Sequence, residues 1–227
     1  MPSTPVTPVR VWDLPTRLFH WLLAAAVIGS VITAKVGGNA TAWHFRLGYA
    51  VLALLLFRVI WGVVGGHWSR FASFMPWPGR LLRYLRHQPA EGEHLDVGHN
   101  PLGALSVLGM LTLLGVQVAT GLVADDEIAN TGPLISLVSG STSSLATTWH
   151  KTWGQWLILS GVALHVVAIV FYLRVRKNNL VTPMVLGDKP LPPGVPASAD
   201  SLRTRVLAAV VLLAAAMGVR WLVGLGG

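Results

Sequence analysis

Apolar residues in this chain do not alternate with polar ones. They gather in five long blocks, at 15–35, 42–65, 101–123, 147–174 and 205–224, with few charges inside. A helix needs about 20 such residues to cross about 30 Å of hydrocarbon. The pattern therefore predicts an all-α protein, an integral membrane helical bundle with five spans. The fifth block carries Arg220 near its end, and that stem is long enough to snorkel to the interface. No signal-peptide cleavage pattern follows the first block, so it is expected to remain as a span.

The punctuation between blocks is polar. "GHNPLG" (98–103) supplies Asn100 as a helix N-cap and Pro101 at the first helical position, where a missing N–H costs nothing. "GDKPLPPGVPASAD" (187–200) reads as a Pro-rich linker, setting four spans apart from an appended fifth. Charge orients the whole. Arg10 and Arg17 precede span one, Arg70, Arg80, Arg83 and Arg86 follow span two, and Arg174, Arg176, Lys177, Lys189, Arg203 and Arg205 follow span four. The other side has Lys35, then Asp125, Asp126 and Glu127 with no Lys or Arg until Lys151. The positive-inside rule places the N-terminus in the cytoplasm and the C-terminus outside.

Composition agrees. Hydrophobic residues make up 53% and charged residues 11%, against about 25% charged in soluble domains. The net charge of +8 reflects basic cytoplasmic loops rather than nucleic-acid binding, for which no motif is present. Cysteine is absent. That excludes disulfides, iron–sulfur clusters, thiolate nucleophiles and covalent haem attachment.

Of eight histidines, His67, His87, His94 and His99 fall in the loop between spans two and three, and His20, His44, His150 and His165 fall in spans. Intramembrane polar groups are costly and face an interior or a functional site. Depth sorts the four into an inner pair, His20 with His165, and an outer pair, His44 with His150. Fifteen residues of helix separate His150 from His165, about 22 Å of rise with a return to within about 60° of one face. "WHFRLG" (43–48) and "WHKTWG" (149–154) share W-H-x-x-x-G. A glycine at i+4 lies on the histidine's face and leaves room for a flat macrocycle. Gly48 and Gly154 do this for the outer pair, and Gly161 does it one turn before His165. Two histidines at one depth on different helices suit axial ligation of a haem. A single histidine could instead bond across helices, and paired histidines could hold zinc or copper. Zinc wants four ligands or a carboxylate companion, and no span interior contains Asp or Glu. That lack also argues against a proton pump or ion-coupled transporter.

Residues 9–190 resemble the bacterial cytochrome b561 family, including the b-type cytochrome subunits of nickel–iron hydrogenases. The resemblance rests on "VWDLPTRLFHWLL" (11–23), "WHFRLGYAVLALLLFRVIWG" (43–62), "GHNPLGALSVLGMLTLLGVQVATGL" (98–122), "HKTWGQWLILSGVALHVVAIVFY" (150–172) and "KNNLVTPMVLGDK" (177–189). It implies four haem-carrying helices in a domain at 1–190, followed at 191–227 by the linker and C-terminal helix. It further implies two non-covalent b haems, one on His20 and His165 and one on His44 and His150. Family members pass electrons between a quinone pool and a redox partner, here a periplasmic cytochrome c or a hydrogenase-like subunit, in a bacterial inner membrane. A second class of reading is a stand-alone quinone oxidoreductase acting on a small oxidant or reductant such as superoxide, for which Lys35, Arg46 and Lys151 are the candidate funnel charges.

Other polar residues have two readings each. Arg58, deep in span two, needs an anion, either a haem propionate or a group at a quinone site, or else it snorkels. Arg46 reaches an outer propionate or a lipid phosphate. His94 and His99 relay protons to a quinone site or are solvated loop residues. "DDE" (125–127) docks a basic partner or is a plain solvated loop.

Overall fold

The computed structural model describes residues 6–128 and 130–226. Strand β1 (Thr7–Arg10) precedes helix α1 (Leu14–Val36). Helix α2 (Thr41–Val64) follows a single 3₁₀ turn. The short helix α3 (Pro78–Leu85) precedes α4 (Pro101–Leu122). Helix α5 covers Gly140–Arg174, then come strand β2 (Asp188–Leu191) and helix α6 (Leu202–Gly224). Five of these helices, α1, α2, α4, α5 and α6, are long and apolar enough to cross a membrane. Their outward faces are apolar too: Val63, Leu164 and Leu213 are 69%, 69% and 62% exposed. Such faces require lipid rather than water. The protein is a membrane helical bundle.

Contacts divide the chain into two compact units. One holds the N-terminal segment through His20, Arg58–Leu108 and His165–Val211. Its small core packs Val9, Val11, Trp12, Trp68, Val97 and Leu191. Asp13 is its polar hub. Fully buried, it caps α1 by accepting from Thr16 N at 2.8 Å, and it also accepts from Trp61 Nε1, Gly66 N and Ser69 Oγ. Asn100 caps α4 through Gly103 N at 2.7 Å, and its Nδ2 donates to Tyr172 Oη.

The Pro-rich stretch after Gly187 is not a free tether. β2 pairs antiparallel with β1, Thr7 facing Leu191 and Arg10 facing Asp188. Arg10 bridges Asp188 at 2.8 Å and Asp200 at 3.3 Å. Ser198 Oγ donates to Val11 O and accepts from Trp68 N. All but four of the seventeen Lys and Arg residues (Lys35, Arg46, Lys151 and Arg220) belong to this unit.

The second unit holds Trp21–Phe57, Gly109–Leu164 and the C-terminal segment from Leu212. Four helices converge in its core, with Ala26 from α1, Val51 and Leu55 from α2, Leu114 from α4 and Ile158 from α5. Helix α5 begins at Gly140, seven residues before the apolar block. Ser139 caps it through Thr142 N. Its α-helical register breaks at Trp149–Gly154, which form a π-helical turn.

Candidate functional site

The second unit contains the outer pair. His44 and His150 have ring centroids 5.9 Å apart with planes at 85°. Each ring is tied to a main-chain carbonyl, His44 Nδ1 to Ser30 O at 2.9 Å and His150 Nδ1 to Gln117 O at 2.8 Å. A carbonyl only accepts, so each Nδ1 carries the proton and each Nε2 keeps its lone pair. This is the outer-shell arrangement that orients metal-bound imidazoles.

His150 is clamped a second time, because Gln117 Nε2 donates to His150 O at 2.9 Å. Two neighbouring glycines make this possible. A Cβ on Gly121 would stand 2.7 Å from His150 Cε1, and one on Gly154 would overlap the Gln117 side chain. Around the pair lies a cavity of ≈ 390 Å³ lined by Ser30, His44, Gly48, Gly121, His150 and largely apolar neighbours. A Cβ on Gly48 would meet nothing within 4 Å, so that glycine leaves open ground on the cavity wall.

The first unit contains the inner pair. His20 and His165 have ring centroids 6.3 Å apart with planes at 49°. Close by in sequence to neither, two more polar groups belong to this unit. Arg58 is 2% exposed and lies over Phe71 at 4.7 Å and Phe74 at 5.9 Å. Its Nη1 and Nη2 are buried and hydrogen-bonded to nothing among the described residues. His99 lies against Trp12 and Phe74, both at 4.7 Å with planes tilted by 56°, and its buried Nδ1 has no partner among the described residues either. Burial above all, then the charges of Arg58, His20 and His165, push its imidazole down to about 3. It is neutral at neutral pH.

The spacing of both pairs has a direct meaning. An imidazole nitrogen binds a metal at about 2.0–2.1 Å, and the ring centroid sits about 1 Å behind it, so two rings flanking one ion have centroids about 6 Å apart. Among the described residues no group of three or more His, Cys, Asp or Glu converges. A bare ion would find only two protein ligands, whereas a porphyrin brings four equatorial nitrogens and leaves two axial places. Both pairs fit haem.

The comparisons with known proteins decide the lineage. The family model described as prokaryotic cytochrome b561 matches residues 11–187. The chain belongs to the prokaryotic cytochrome b561 family. It is similar to the probable Ni/Fe-hydrogenase B-type cytochrome subunit of Rhizobium leguminosarum bv. viciae, at 26% identity over 80% of this chain and 88% of the relative. The probable Ni/Fe-hydrogenase 1 B-type cytochrome subunit of Escherichia coli K12 is 25% identical over 78% and 88%. The probable Ni/Fe-hydrogenase B-type cytochrome subunit of Cupriavidus necator is 26% identical over 78% and 85%. No solved structure matches the chain. A cytochrome b561 is a membrane electron-transfer protein with haem b as its prosthetic group.

Not every residue singled out in the sequence joins these sites. Gly48 lines the outer cavity. Gly154 makes room for the Gln117 side chain and is not among the residues lining the outer cavity. A Cβ on Gly161 would meet nothing within 4 Å. Arg46 is exposed and lies over the Trp43 ring at 4.9 Å, outside the cavity lining; this placement suits a headgroup phosphate. Asp126 and Lys151 line the outer cavity, while within the acidic loop Asp126 accepts from Ile128 N and Asn130 N, and Asp125 from Glu127 N.

Gln117, Gly121, Asp13 and the π turn were not visible as site residues in the sequence. For Asp13 a signal existed, an aspartate directly before a Pro-containing helix start. His99, expected in an open loop, is packed between aromatic rings.

Proposed function

We propose that this cytochrome b561 carries electrons across a bacterial inner membrane between the quinone pool and a hydrogenase-like partner subunit. It does so with two non-covalent b haems, one on His20 and His165 and one on His44 and His150. The observation that carries the reading is the pair of ring separations, 6.3 and 5.9 Å, each matching the room one six-coordinate iron needs. When bound, haem supplies a one-electron iron couple. The chain's own residues orient and protect it. Ser30 O and Gln117 O hold the outer imidazoles with Nε2 free, in a cavity whose wall is largely apolar. The partner class comes from the relatives, named as hydrogenase cytochrome subunits. The distribution of Lys and Arg favours a cytoplasmic N-terminus.

The test is isolation of the tagged chain from native membranes, followed by haem quantification and identification of co-isolated proteins. The expected result is two acid-acetone-extractable haems per chain together with a hydrogenase subunit. One haem or none removes the ligand assignment. A c-type cytochrome in place of the hydrogenase moves the partner and leaves the haem reading standing.

A further inference from the structure

We propose that Arg58 and His99 together form a carboxylate-binding site that takes a propionate of the haem held by His20 and His165. The inference rests on the two-haem reading above. It starts from donors that have nothing to donate to. A guanidinium 2% exposed with both terminal nitrogens buried and unbonded is a costly arrangement unless an acceptor arrives. Asp13 acts on Arg58 through space, but it cannot be that acceptor. Its oxygens are already taken by Thr16 N, Trp61 Nε1, Gly66 N and Ser69 Oγ.

The aromatic floor fixes the geometry. Phe74 is 1% exposed and touches both residues, Arg58 at 5.9 Å and His99 at 4.7 Å. One ring therefore adjoins both unpartnered groups, with Phe71 also against the guanidinium and Trp12 also against the imidazole. The two free Nη groups form a planar fork that matches a carboxylate bidentately. A third buried nitrogen, His99 Nδ1, comes from a separate segment, and the Arg58 charge acts on that imidazole through space. His99 also senses His20 and His165 electrostatically, so the cluster belongs to the inner pair's surroundings. A quinone carbonyl is neutral and takes single donors; a fork beside a third nitrogen fits a carboxylate better.

The test is redox titration of the purified holoprotein, reading the haem signal that His20→Ala and His165→Ala both remove. Arg58→Gln is expected to shift that haem's equilibrium at least tenfold toward the oxidised form, about 59 mV for one electron. The other haem should not move. Arg58→Lys keeps the charge without the fork and should shift it less, and His99→Leu, which removes the neutral ring nitrogens, should shift it in the same direction. A second readout is the redox-induced infrared difference spectrum of protein grown on 5-aminolaevulinate labelled at its carboxyl carbon. The labelled propionate bands should move in Arg58→Gln, and in Arg58→Lys should Arg58→Gln lose the inner haem. Two haems with unchanged potential and unmoved bands overturn the proposal. So does an effect confined to quinone turnover, which would give Arg58 to the substrate. Wild-type protein lacking two haems fails the earlier reading instead.

Discussion

Gln117→Leu isolates the least visible part of the outer site. The substitution keeps most of the side-chain volume at one bond less reach and removes the amide, whose Nε2 donates to His150 O at 2.9 Å. It leaves intact the bond from His150 Nδ1 to the Gln117 carbonyl, because that acceptor is main chain. Stripping a buried carbonyl of its partner costs about 1–3 kcal/mol. Outer-shell partners of metal-bound histidines are worth about 10–100-fold in affinity, or about 1.4–2.7 kcal/mol. The two routes agree, so the outer haem should be held about 10–100-fold more weakly. The assay is transfer of haem to excess apomyoglobin, with the two sites separated by low-temperature absorption. Loss of the outer component with the inner one unchanged is expected. Retention of the outer haem within a factor of two of wild type would refute the clamp, as would a loss that falls on the inner haem.

Further outcomes follow from other residues. Gly121→Ala puts a Cβ 2.7 Å from His150 Cε1, so it should displace the ring and deplete the outer haem selectively, seen as about half the wild-type haem per chain if each chain holds two. Asp13→Asn weakens a buried four-donor hub and should cost about 3 kcal/mol, since bonds to a charged group are worth about 1.5–3 kcal/mol each; thermal unfolding in detergent measures it. The Arg83 hydrogen bond holds the Glu93 carboxyl down at about 2 from 4.5. The stability it lends is complete above pH 4.5 and is lost as pH falls through about 2, so proteolysis of the 86–93 loop should stay flat from pH 7 to 5, and Glu93→Gln should speed it at neutral pH. Reporter fusions after residues 90 and 190 should read as cytoplasmic and one near residue 130 as external, and the reverse pattern would invert the orientation drawn from charge.

What the sequence makes legible is what repeats or stands out. Apolar blocks mark five spans, and "NPLG" marks a capped helix start that the structure has at Asn100 and Pro101. Histidines in apolar surroundings stand out because so little there is polar, and sorting them by depth joins the same rings that lie 6.3 and 5.9 Å apart. What stays hidden depends on context. The π turn at Trp149–Gly154 has no composition of its own, and the Gln117 side chain for which Gly154 makes room comes from another helix. Gln117 reads as one polar residue in a span until the carbonyl it serves is located. β2 hides behind Pro190, and β1 carries Pro8 opposite it. Proline argues against a strand wherever its N–H is needed, but a two-stranded ribbon has free outer edges. His99 lies in a polar loop, and only the folded chain shows Trp12 and Phe74 closing over it.

The central claim is that four histidines hold two haems in two separate pairs. Electron paramagnetic resonance of the oxidised protein and its four single histidine-to-alanine variants tests it most directly, with protein amount checked by immunoblot. The account predicts two low-spin signals in the wild type, one lost together in His44→Ala and His150→Ala, the other lost together in His20→Ala and His165→Ala. Loss of one common signal in His44→Ala and His165→Ala, with the other signal intact, would contradict it.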